Sequence, residues 1–595
     1  MSFKQTRWIC EAVLFIFAFL FLGVFNAEYL YALQAQSLFL ANSVFANETL
    51  AQSAGVLVYV SKFLNQFLHY PLLGACFMSA GLVGIERLVA RLTTCDCYCR
   101  LLSVFVPSLL VLLAQTSAGY AIYDNFDTSF AVSLEVGLLL SLGLANAFRL
   151  LYAKLGTKGL AVSTVLAIAL YFAIGIFSPF SLLVASASLF ASDRKASLHF
   201  LLGGVVALLL LPMLATSMVQ EDYLFTLLGP LPVPYFKPLF MLAMLTLVSV
   251  VMAIAVPIFR ELEVMQKTFV TPACVLALCG LTFYFSFRDA NYRTELEMKH
   301  CVEDMDFDGA LKAAETVKRP TRPIAAYRYI ALEAKGRLST DLFNFPVRYD
   351  TINSPYTDIT DLIFQPDLML YSSQPNISLL WGMESWTNTK RTVSDLKRFT
   401  LTSLIQGEAE LSRKYINQLK QTVGYSKWAE EFEPYVGKQQ ELFNAYPVLG
   451  NVYRHQLPMV NSIGIYDLPK VMSSYSQLDP VNMERRLLLH LYSKNTNAFI
   501  SDLQTVAGMY REKMPMCMQE IVALYAMNTK INLIQYFPIK RDVAERVAGF
   551  VKAAEFYAKD HENGAIQLKQ YQGSYLYFLL FGNPYPNANN LKSNK

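Results

Sequence analysis

Long apolar runs alternate with short polar segments through the first half of the chain. Nine runs approach the ~20 apolar residues that a helix needs to cross about 30 Å of hydrocarbon, and they are residues 8–26, 71–90, 101–121, 128–148, 159–177, 179–192, 198–217, 238–259 and 268–287. The sixth run is short, so we expect it to form one tight hairpin with the fifth. The first run follows Lys4 and Arg7 and lacks a small-residue cleavage site, which predicts an uncleaved anchor rather than a signal peptide.

The segment between the first two runs, residues 26–70, is longer than two neighbouring spans require, and we call it the first loop. Its pattern predicts two helices, at residues 29–39 and 56–67. In the second, Val56, Val60 and Phe63 recur at helical spacing, while Lys62 and Asn65 fall mostly on the other side. This pattern is typical of helices that lie in the membrane interface without crossing the membrane.

Composition changes abruptly after residue 287. The chain is 54% hydrophobic and 16% charged, which is too apolar for a soluble protein of 595 residues. Residues 1–287 carry 27 charged side chains and residues 288–595 carry 69. We therefore predict a transmembrane domain at 1–287, with the first loop at the interface, and an extracytoplasmic helical domain at 288–595. The small net charge argues against nucleic acid as a partner.

Basic residues are distributed asymmetrically among the segments that connect the runs. With a cytoplasmic N-terminus, the inner segments carry twelve Lys and Arg residues, and the outer loops before the last run carry two, Lys62 and Lys237. This is a strong positive-inside pattern. Nine spans place everything after residue 287 on the far side, which in a bacterium is the periplasmic side of the inner membrane. A miscount of one span would reverse this orientation.

The second half of the chain is rich in helix-forming residues. Residues 304–317 followed by 324–338 predict a helix pair, in which Ala310 and Ala314 face Ala331. Residues 401–422 followed by 427–432 predict a second pair, with Gly407 at a tight turn. Small residues at helix crossings are typical of tetratricopeptide repeats. The predicted fold class is therefore all-α: a polytopic helical membrane domain of about nine spans followed by an irregular, tetratricopeptide-like α-solenoid.

Acidic residues near the outer ends of the spans are the best candidates for catalysis. Glu28 directly follows the first span and is a candidate general base; a helix cap or an interfacial carboxylate is the alternative. Glu135 lies inside the fourth span, where a carboxylate is costly unless it has a partner or a water-filled cavity. Gln115 lies at a comparable depth, so the two residues also fit a structural polar pair.

Two aspartates and three basic residues complete the candidate set. Asp124 and Asp127 are weaker catalytic candidates, and their setting fits turn residues better than metal ligands. Lys62, Lys237 and Arg288 lie near the outer interface, where they predict contacts with a lipid phosphate.

The sequence indicates no cofactor, although a divalent metal stays open as an alternative. The cluster Cys95, Cys97 and Cys99 is too tightly spaced to close one zinc site unaided and predicts reduced cytoplasmic thiols. Cys301 and Cys517 are the only cysteines of the second half, and whether they form a disulfide is left open. The histidines are scattered, and no glycine-rich phosphate loop or GxSxG motif occurs.

Three stretches resemble a known group of proteins: FLNQFLHYPLLGA, MDFDGAL with YIALEAKGRLSTDLFNFP, and LKRFTLTSLIQGEAELSRKYINQL with YSKWA. They are similar to polytopic membrane proteins of unknown function from Bacteroidota-type bacteria, which carry a periplasmic tetratricopeptide-like tail. The resemblance covers most of the chain. It implies an architecture and no activity.

The arrangement of spans is also similar to that of GT-C glycosyltransferases, which use polyprenyl-phosphate-linked sugars. In those enzymes a long first outer loop forms interfacial helices and carries an acidic catalytic residue just after the first span. Glu28 occupies that place here, although Ala27 stands where a paired acid is usual. The resemblance implies that Glu28 is a catalytic base and that membrane lipid and a lipid-linked sugar are binding partners.

Two functions follow from these observations. One is a glycosyltransferase of the bacterial envelope, whose helical tail binds a glycan acceptor. The other is a non-enzymatic envelope scaffold, whose helical tail binds partner proteins. The long first loop favours the enzyme, and the lack of a sharp catalytic motif favours the scaffold.

Overall fold

The computed structural model describes most of the chain, namely residues 3–93, 98–123, 127–219, 222–231, 237–255, 267–318, 320–344, 357–388, 390–457, 479–529 and 536–582. The regular structure of these residues is helical, and no strand occurs among them. The sequence prediction of an all-α chain is confirmed for these residues.

The chain divides into two compact units. The first comprises Met1–Asp289 together with two later segments, Ser385–Leu396 and Lys414–Glu433. The second comprises Ala290–Glu384, Lys397–Arg413 and Pro434–Lys595. The sequence predicts a single boundary at residue 287. The first unit also contains two short segments from residues 288–595.

Thirteen helices form the first half of the chain within the described residues. Their bounds are α1 (Phe3–Leu20), α2 (Ala27–Ala35), α3 (Ser43–Leu50), α4 (Gly55–Asn65), α5 (Pro71–Leu92), α6 (Tyr98–Thr116), α7 (Phe130–Leu155), α8 (Thr157–Ile174), α9 (Phe177–Leu189), α10 (Arg194–Val219), α11 (Tyr223–Leu228), α12 (Lys237–Ala255) and α13 (Lys267–Phe285). A π-helical turn, Phe21–Phe25, extends α1. Apolar side chains of α1, α6 and α13, including Leu14, Phe105 and Val275, pack together in the interior.

Each of the nine predicted runs coincides with a helix, but not every helix is long and apolar enough to cross a membrane. Within the described residues six helices are: Lys4–Phe25, Pro71–Leu92, Phe130–Leu155, Thr157–Ile174, Arg194–Val219 and Lys237–Ala255. A seventh is counted if the bent pair Val270–Phe285 and Ala290–Glu303 is one span. Leu101–Thr116 and Phe177–Leu189 are shorter apolar helices. Length and composition thus establish about six candidate spans, and the count of nine stays a prediction.

The predicted hairpin of the fifth and sixth runs has a tight turn. Only Gly175 and Ile176 separate α8 from α9, and the two helices pack against each other. Gly175 has φ of +58°, a left-handed conformation that side chains rarely adopt. The hydroxyl of Ser178 donates a hydrogen bond of 2.5 Å to the carbonyl of Ala167, which ties the two helices together.

The first loop contains three α-helices, where the sequence predicted two. The additional helix, α3, begins after Asn42, whose side-chain oxygen accepts a 2.8 Å hydrogen bond from the amide of Phe45. In α4 the apolar side chains Val56, Val60 and Phe63 are exposed. An exposed apolar stripe is the arrangement expected of a helix whose apolar face meets lipid.

The remaining helices lie in residues 290–582. Their bounds are α14 (Ala290–Glu303), α15 (Phe307–Glu315), α16 (Arg322–Ala334), α17 (Leu338–Asp341), α18 (Thr357–Tyr371), α19 (Pro375–Asn388), α20 (Val393–Gln406), α21 (Ala409–Leu419), α22 (Ser426–Phe432), α23 (Gln439–Ala445), α24 (Pro447–Arg454), α25 (Pro480–Tyr492), α26 (Thr496–Thr505), α27 (Met516–Thr529), α28 (Arg541–Lys559), α29 (His561–Leu568) and α30 (Tyr575–Phe581). Leu487, Phe499 and Met518 are fully buried members of an apolar cluster in the second unit.

Of the two helix pairs predicted in the second half, the first is present as a packed pair. Helices α15 and α16 pack against each other, and Ala310, Ala314 and Ala331 are fully or almost fully buried. Gly407 follows α20 with φ of +77°, the left-handed conformation that commonly ends a helix. The packing of the first helix pair is thus confirmed, whereas the second pair and the tetratricopeptide-like solenoid stay predictions.

Candidate functional site

Glu28 lies at the start of α2, directly after the first candidate span. The π-helical turn ends at Phe25, and the side chain of Asn26 donates a 2.9 Å hydrogen bond back to the carbonyl of Phe21. Glu28 is in the first turn of α2 and half-buried. A carboxylate at this position interacts favourably with the positive end of the helix dipole, so its placement also has a structural explanation.

Glu135 is buried inside α7 and bonded to Gln115 of α6. The Nε2 group of Gln115 donates to Oε2 of Glu135 at 2.6 Å and to the carbonyl of Ala131 at 3.1 Å. The hydrogen bond predicted between Gln115 and Glu135 is therefore confirmed. The carboxylate also lies directly against Gly81 of α5, where a β-carbon would be only 1.6 Å from Oε1 of Glu135. This close packing joins three helices at one buried carboxylate.

The same corner is connected to the first loop. The phenolic hydroxyl of Tyr29, in α2, donates a 3.0 Å hydrogen bond to the backbone carbonyl of Gln115. Tyr29 is buried, and its burial raises the pKa of the phenol above its usual range. The hydroxyl therefore stays protonated and acts as a donor. Glu135 thus belongs to a packed polar network that links α2, α5, α6 and α7.

Asp127 forms an ion pair with Lys62 at the N-terminal side of α7. The two side chains are 3.0 Å apart, and Oδ1 of Asp127 accepts a 2.9 Å hydrogen bond from the amide of Ser129. The charge of Lys62 and the hydrogen bond from Ser129 hold the pKa of the partly exposed Asp127 carboxyl below its usual range. Asp127 is thus an ionised turn residue, and a lipid phosphate at Lys62 would compete with it. Asp124 lies outside the described residues.

The other two candidate phosphate ligands are exposed. Lys237 is the first residue of α12. The guanidinium of Arg288 lies 5.0 Å from the ring centroid of Phe283 and 5.3 Å from that of Tyr284, and it donates a 2.9 Å hydrogen bond to the carbonyl of Tyr284. Stacking on aromatic rings orients Arg288. Its exposure leaves phosphate binding as a prediction.

Hydrogen bonds and an ion pair join the first loop to the segments Ser385–Leu396 and Lys414–Glu433 of the first unit, and we call these contacts the clasp. Four polar contacts join residues more than 340 positions apart, and they are Gln34 Oε1 with Tyr425 Oη at 2.7 Å, Asn42 Nδ2 with Gln421 Oε1 at 2.8 Å, Gln66 Oε1 with the amide of Val423 at 2.8 Å, and Glu48 with Arg391 at 2.9 Å. The ammonium of Lys390 also donates to the carbonyl of Ile122.

The clasp is tightly packed around His69. The ring of Tyr425 contacts His69 edge to face at a centroid distance of 4.7 Å. A β-carbon on Gly424 would lie 2.6 Å from Cγ of His69, so only glycine allows this approach. Gln34 and Tyr425 are each 2% exposed. Leaving either polar group unpaired at such a site costs about 1–3 kcal/mol.

Sequence reasoning missed the clasp, although one signal for it was present. The first loop carries Gln34, Asn65 and Gln66 within otherwise apolar helices. Buried amide side chains require hydrogen-bond partners, so such residues point to a contact surface. Nothing in the sequence identified Gln421, Tyr425 or Arg391 as the partners, because no local pattern connects them to the loop.

The described residues contain no group of three or more His, Cys, Asp and Glu side chains placed to hold a metal ion. Cys301 and Cys517 both lie within the described residues, and no disulfide joins them to each other. The thiol of Cys517 instead contacts the carbonyl of Ser339 at 3.3 Å. Cys95 and Cys97, and the side chain of Cys99, lie outside the described residues.

Comparison with known protein families assigns nearly the whole chain to one family. The model of a family of unknown function, DUF6057, matches residues 3–582. The chain belongs to the DUF6057 family. No curated protein and no solved structure matches it. Membership in DUF6057 thus extends over nearly all of both compact units and brings no assigned activity.

Proposed function

We propose that this DUF6057 protein is a non-enzymatic scaffold of the bacterial envelope. Its membrane helices serve as the anchor, and its helical second half binds partner proteins. The observation that carries this proposal is the clasp. The sequence favoured an enzyme because a membrane anchor does not need a long first loop. The clasp supplies a structural reason for that loop.

The contacts of the other candidate acids agree with a structural role. Glu135 is closed in by Gln115 and Gly81, and Asp127 is held by Lys62 and Ser129. A catalytic base needs access to a substrate hydroxyl, which the packing around Glu135 does not provide.

The clasp also constrains how the chain crosses the membrane. Because it joins the first loop to residues 391–425, these parts lie on one side of the membrane. The chain must therefore cross an even number of times between residues 70 and 385. The six long helices alone leave five crossings in this interval, whereas adding α13 gives six, and adding α6 and α9 as well gives eight.

With the first span included, six or eight crossings give a total of seven or nine spans. The even number therefore supports seven or nine spans rather than six. Both totals leave the clasp on the side opposite the N-terminus. Together with the positive-inside pattern, this supports an inner-membrane protein with a cytoplasmic N-terminus and with the clasp in the periplasm.

The clasp can be tested by crosslinking. In the variant Asn42→Cys with Gln421→Cys, the two thiols replace side chains whose polar atoms are 2.8 Å apart. We expect a short bifunctional thiol reagent to join the two peptides within one chain, detected by mass spectrometry of intact membranes. Each single-cysteine variant is the matched control for reaction with native thiols. If the double variant gives no more of this crosslink than the controls, the clasp does not form in the membrane and the proposal loses its support.

A glycosyltransferase is the second candidate, and the placement of Glu28 favours it. This carboxylate is half-buried in the first turn after the first membrane helix, where the resemblance to GT-C enzymes expects a base. A general base contributes roughly 10²–10⁴-fold in rate. Glu28→Gln keeps the size and removes the basicity.

The two functions predict different results in a strain that lacks the chromosomal copy. If the protein is a scaffold, Glu28→Gln should restore the wild-type phenotype at matched membrane abundance, and lipid-linked glycans should stay at their wild-type level. If it is a glycosyltransferase, Glu28→Gln should fail and lipid-linked glycan precursors should accumulate, as in the deletion strain. That second outcome would reject the scaffold. Asp222→Asn, also near a candidate span, is the matched control for loss of a carboxylate.

A further inference from the structure

The second compact unit contains a cavity of about 220 Å³ that the scaffold proposal does not use. Its wall combines aliphatic and charged side chains, including Val448, Val452, Val481, Glu333, Glu484, His455 and Arg485. At about 30 Å³ per water molecule, this space equals roughly seven waters. The cavity therefore suits a ligand of about the size of an amino acid.

Two of the charged groups form an ion pair with each other. The guanidinium of Arg485 forms an ion pair with Glu333 and donates to Ser373 Oγ at 3.0 Å and Asn482 Oδ1 at 2.9 Å. Arg485 is 4% exposed, so removing either member of the pair would leave the other charge buried without a partner and would lower the stability of the protein. Burial raises the pKa of Glu333, and the charge of Arg485 opposes that shift. This pair forms a fixed part of the wall.

His455 is held with one ring nitrogen engaged. Its Nδ1 lies 2.8 Å from Oδ2 of Asp479, and Asp479 is itself held by Asn482 at 3.1 Å. A carboxylate at Nδ1 keeps the proton of a neutral imidazole on that nitrogen. Nε2 is then a hydrogen-bond acceptor, and none of the described residues donates to it.

Glu484 gives the cavity a surplus negative charge. It is half-buried, and no described residue forms an ion pair or hydrogen bond with its carboxylate. Arg485 compensates Glu333 and leaves Glu484 uncompensated. The Glu484 carboxylate and Nε2 of His455 thus favour a ligand that donates hydrogen bonds and carries positive charge. The three valines favour a ligand with an aliphatic chain.

We propose that this cavity binds a protonated amine on a short aliphatic chain. The ammonium donates hydrogen bonds to Glu484 and to Nε2 of His455, and the carbon chain lies against Val448, Val452 and Val481. A free small amine and the lysine side chain of a partner peptide share this chemistry. The inference does not depend on whether the protein is a scaffold or an enzyme.

Calorimetric titration of the purified full-length protein in detergent at low ionic strength tests the proposal. The probes are 1,5-diaminopentane for a free amine and N-acetyl-lysine amide for a peptide side chain, with glutarate and glucose as anionic and neutral comparisons. We expect both amines to bind and the comparisons not to bind. Tenfold tighter binding of N-acetyl-lysine amide supports a peptide as the source, and the reverse order supports a free amine.

Three variants locate the binding. Glu484→Gln should weaken amine binding tenfold or more, because it removes the charge and keeps the shape. Val448→Phe should do the same by filling the cavity with all charges intact, and it tests the proposal if Glu484→Gln does not fold. Glu555→Gln, at an exposed position of α28, is the matched control and should bind like the wild type. The proposal is wrong if neither amine binds, if both cavity variants bind like the wild type, or if glutarate or glucose binds instead.

Discussion

Gly81→Ala is the sharpest perturbation that the structure offers. The added β-carbon would lie 1.6 Å from Oε1, 2.7 Å from Cδ and 3.2 Å from Cγ of Glu135. Unbonded carbon and oxygen atoms need more than about 3 Å, so the carboxylate must move. That movement breaks its 2.6 Å hydrogen bond to Gln115 inside the membrane domain.

The cost can be worked out from these contacts. Leaving the buried amide of Gln115 without its acceptor costs about 1–3 kcal/mol, and overpacking a tight interior costs about 1–3 kcal/mol. Replacing a helical glycine by alanine returns up to about 1 kcal/mol. The expected net loss of unfolding free energy is therefore about 3 kcal/mol.

The assay is unfolding of the detergent-solubilised protein, followed by its helical circular dichroism. Gly143→Ala in α7 is the matched control, since a β-carbon there meets no atom within 4 Å, and we expect it to be neutral or slightly stabilising. In the background of Glu135→Ala, the change Gly81→Ala should lose most of its cost, because the clashing carboxylate is gone. If Gly81→Ala unfolds at the same midpoint as Gly143→Ala, the packing of Glu135 against α5 is wrong.

Three further perturbations are predicted. Burial raises the pKa of Glu520 from 4.5 to about 7, so the stability that its protonated form contributes is complete below pH 4.5 and is lost as the pH rises through 7. In denaturant titrations, Glu520→Gln should therefore have a free energy of unfolding about 3 kcal/mol above that of the wild type at pH 8 and equal to it at pH 4.5. Equal gains at both pH values would contradict this. Asp127→Ala should cost about 1 kcal/mol through the lost backbone hydrogen bond, with a coupling to Lys62 below about 1 kcal/mol in a double-mutant cycle, because the pair is partly exposed. Gly175→Ala should lower the thermal midpoint, since φ is +58° and a β-carbon would lie 2.5 Å from the carbonyl oxygen of Gly229; an unchanged midpoint would show that this turn can relax.

The sequence by itself determined the features that depend on neighbouring residues. All nine apolar runs became helices, because a helix of about 20 apolar residues satisfies its own backbone in lipid whatever surrounds it. The bond between Gln115 and Glu135 was also predictable, since both positions follow from depth within adjacent spans. The helix pair of α15 and α16 followed from the spacing of small residues.

Only the tertiary structure decided which distant segments meet. Asn42 and Gln421 are separated by 379 positions, and the cavity combines Glu333, His455 and Glu484 from three separate helical stretches. Periodicity reports the face that a helix buries but not the element that covers it. The partner is selected by shape and by the pairing of buried polar groups, which exist only once the chain has folded.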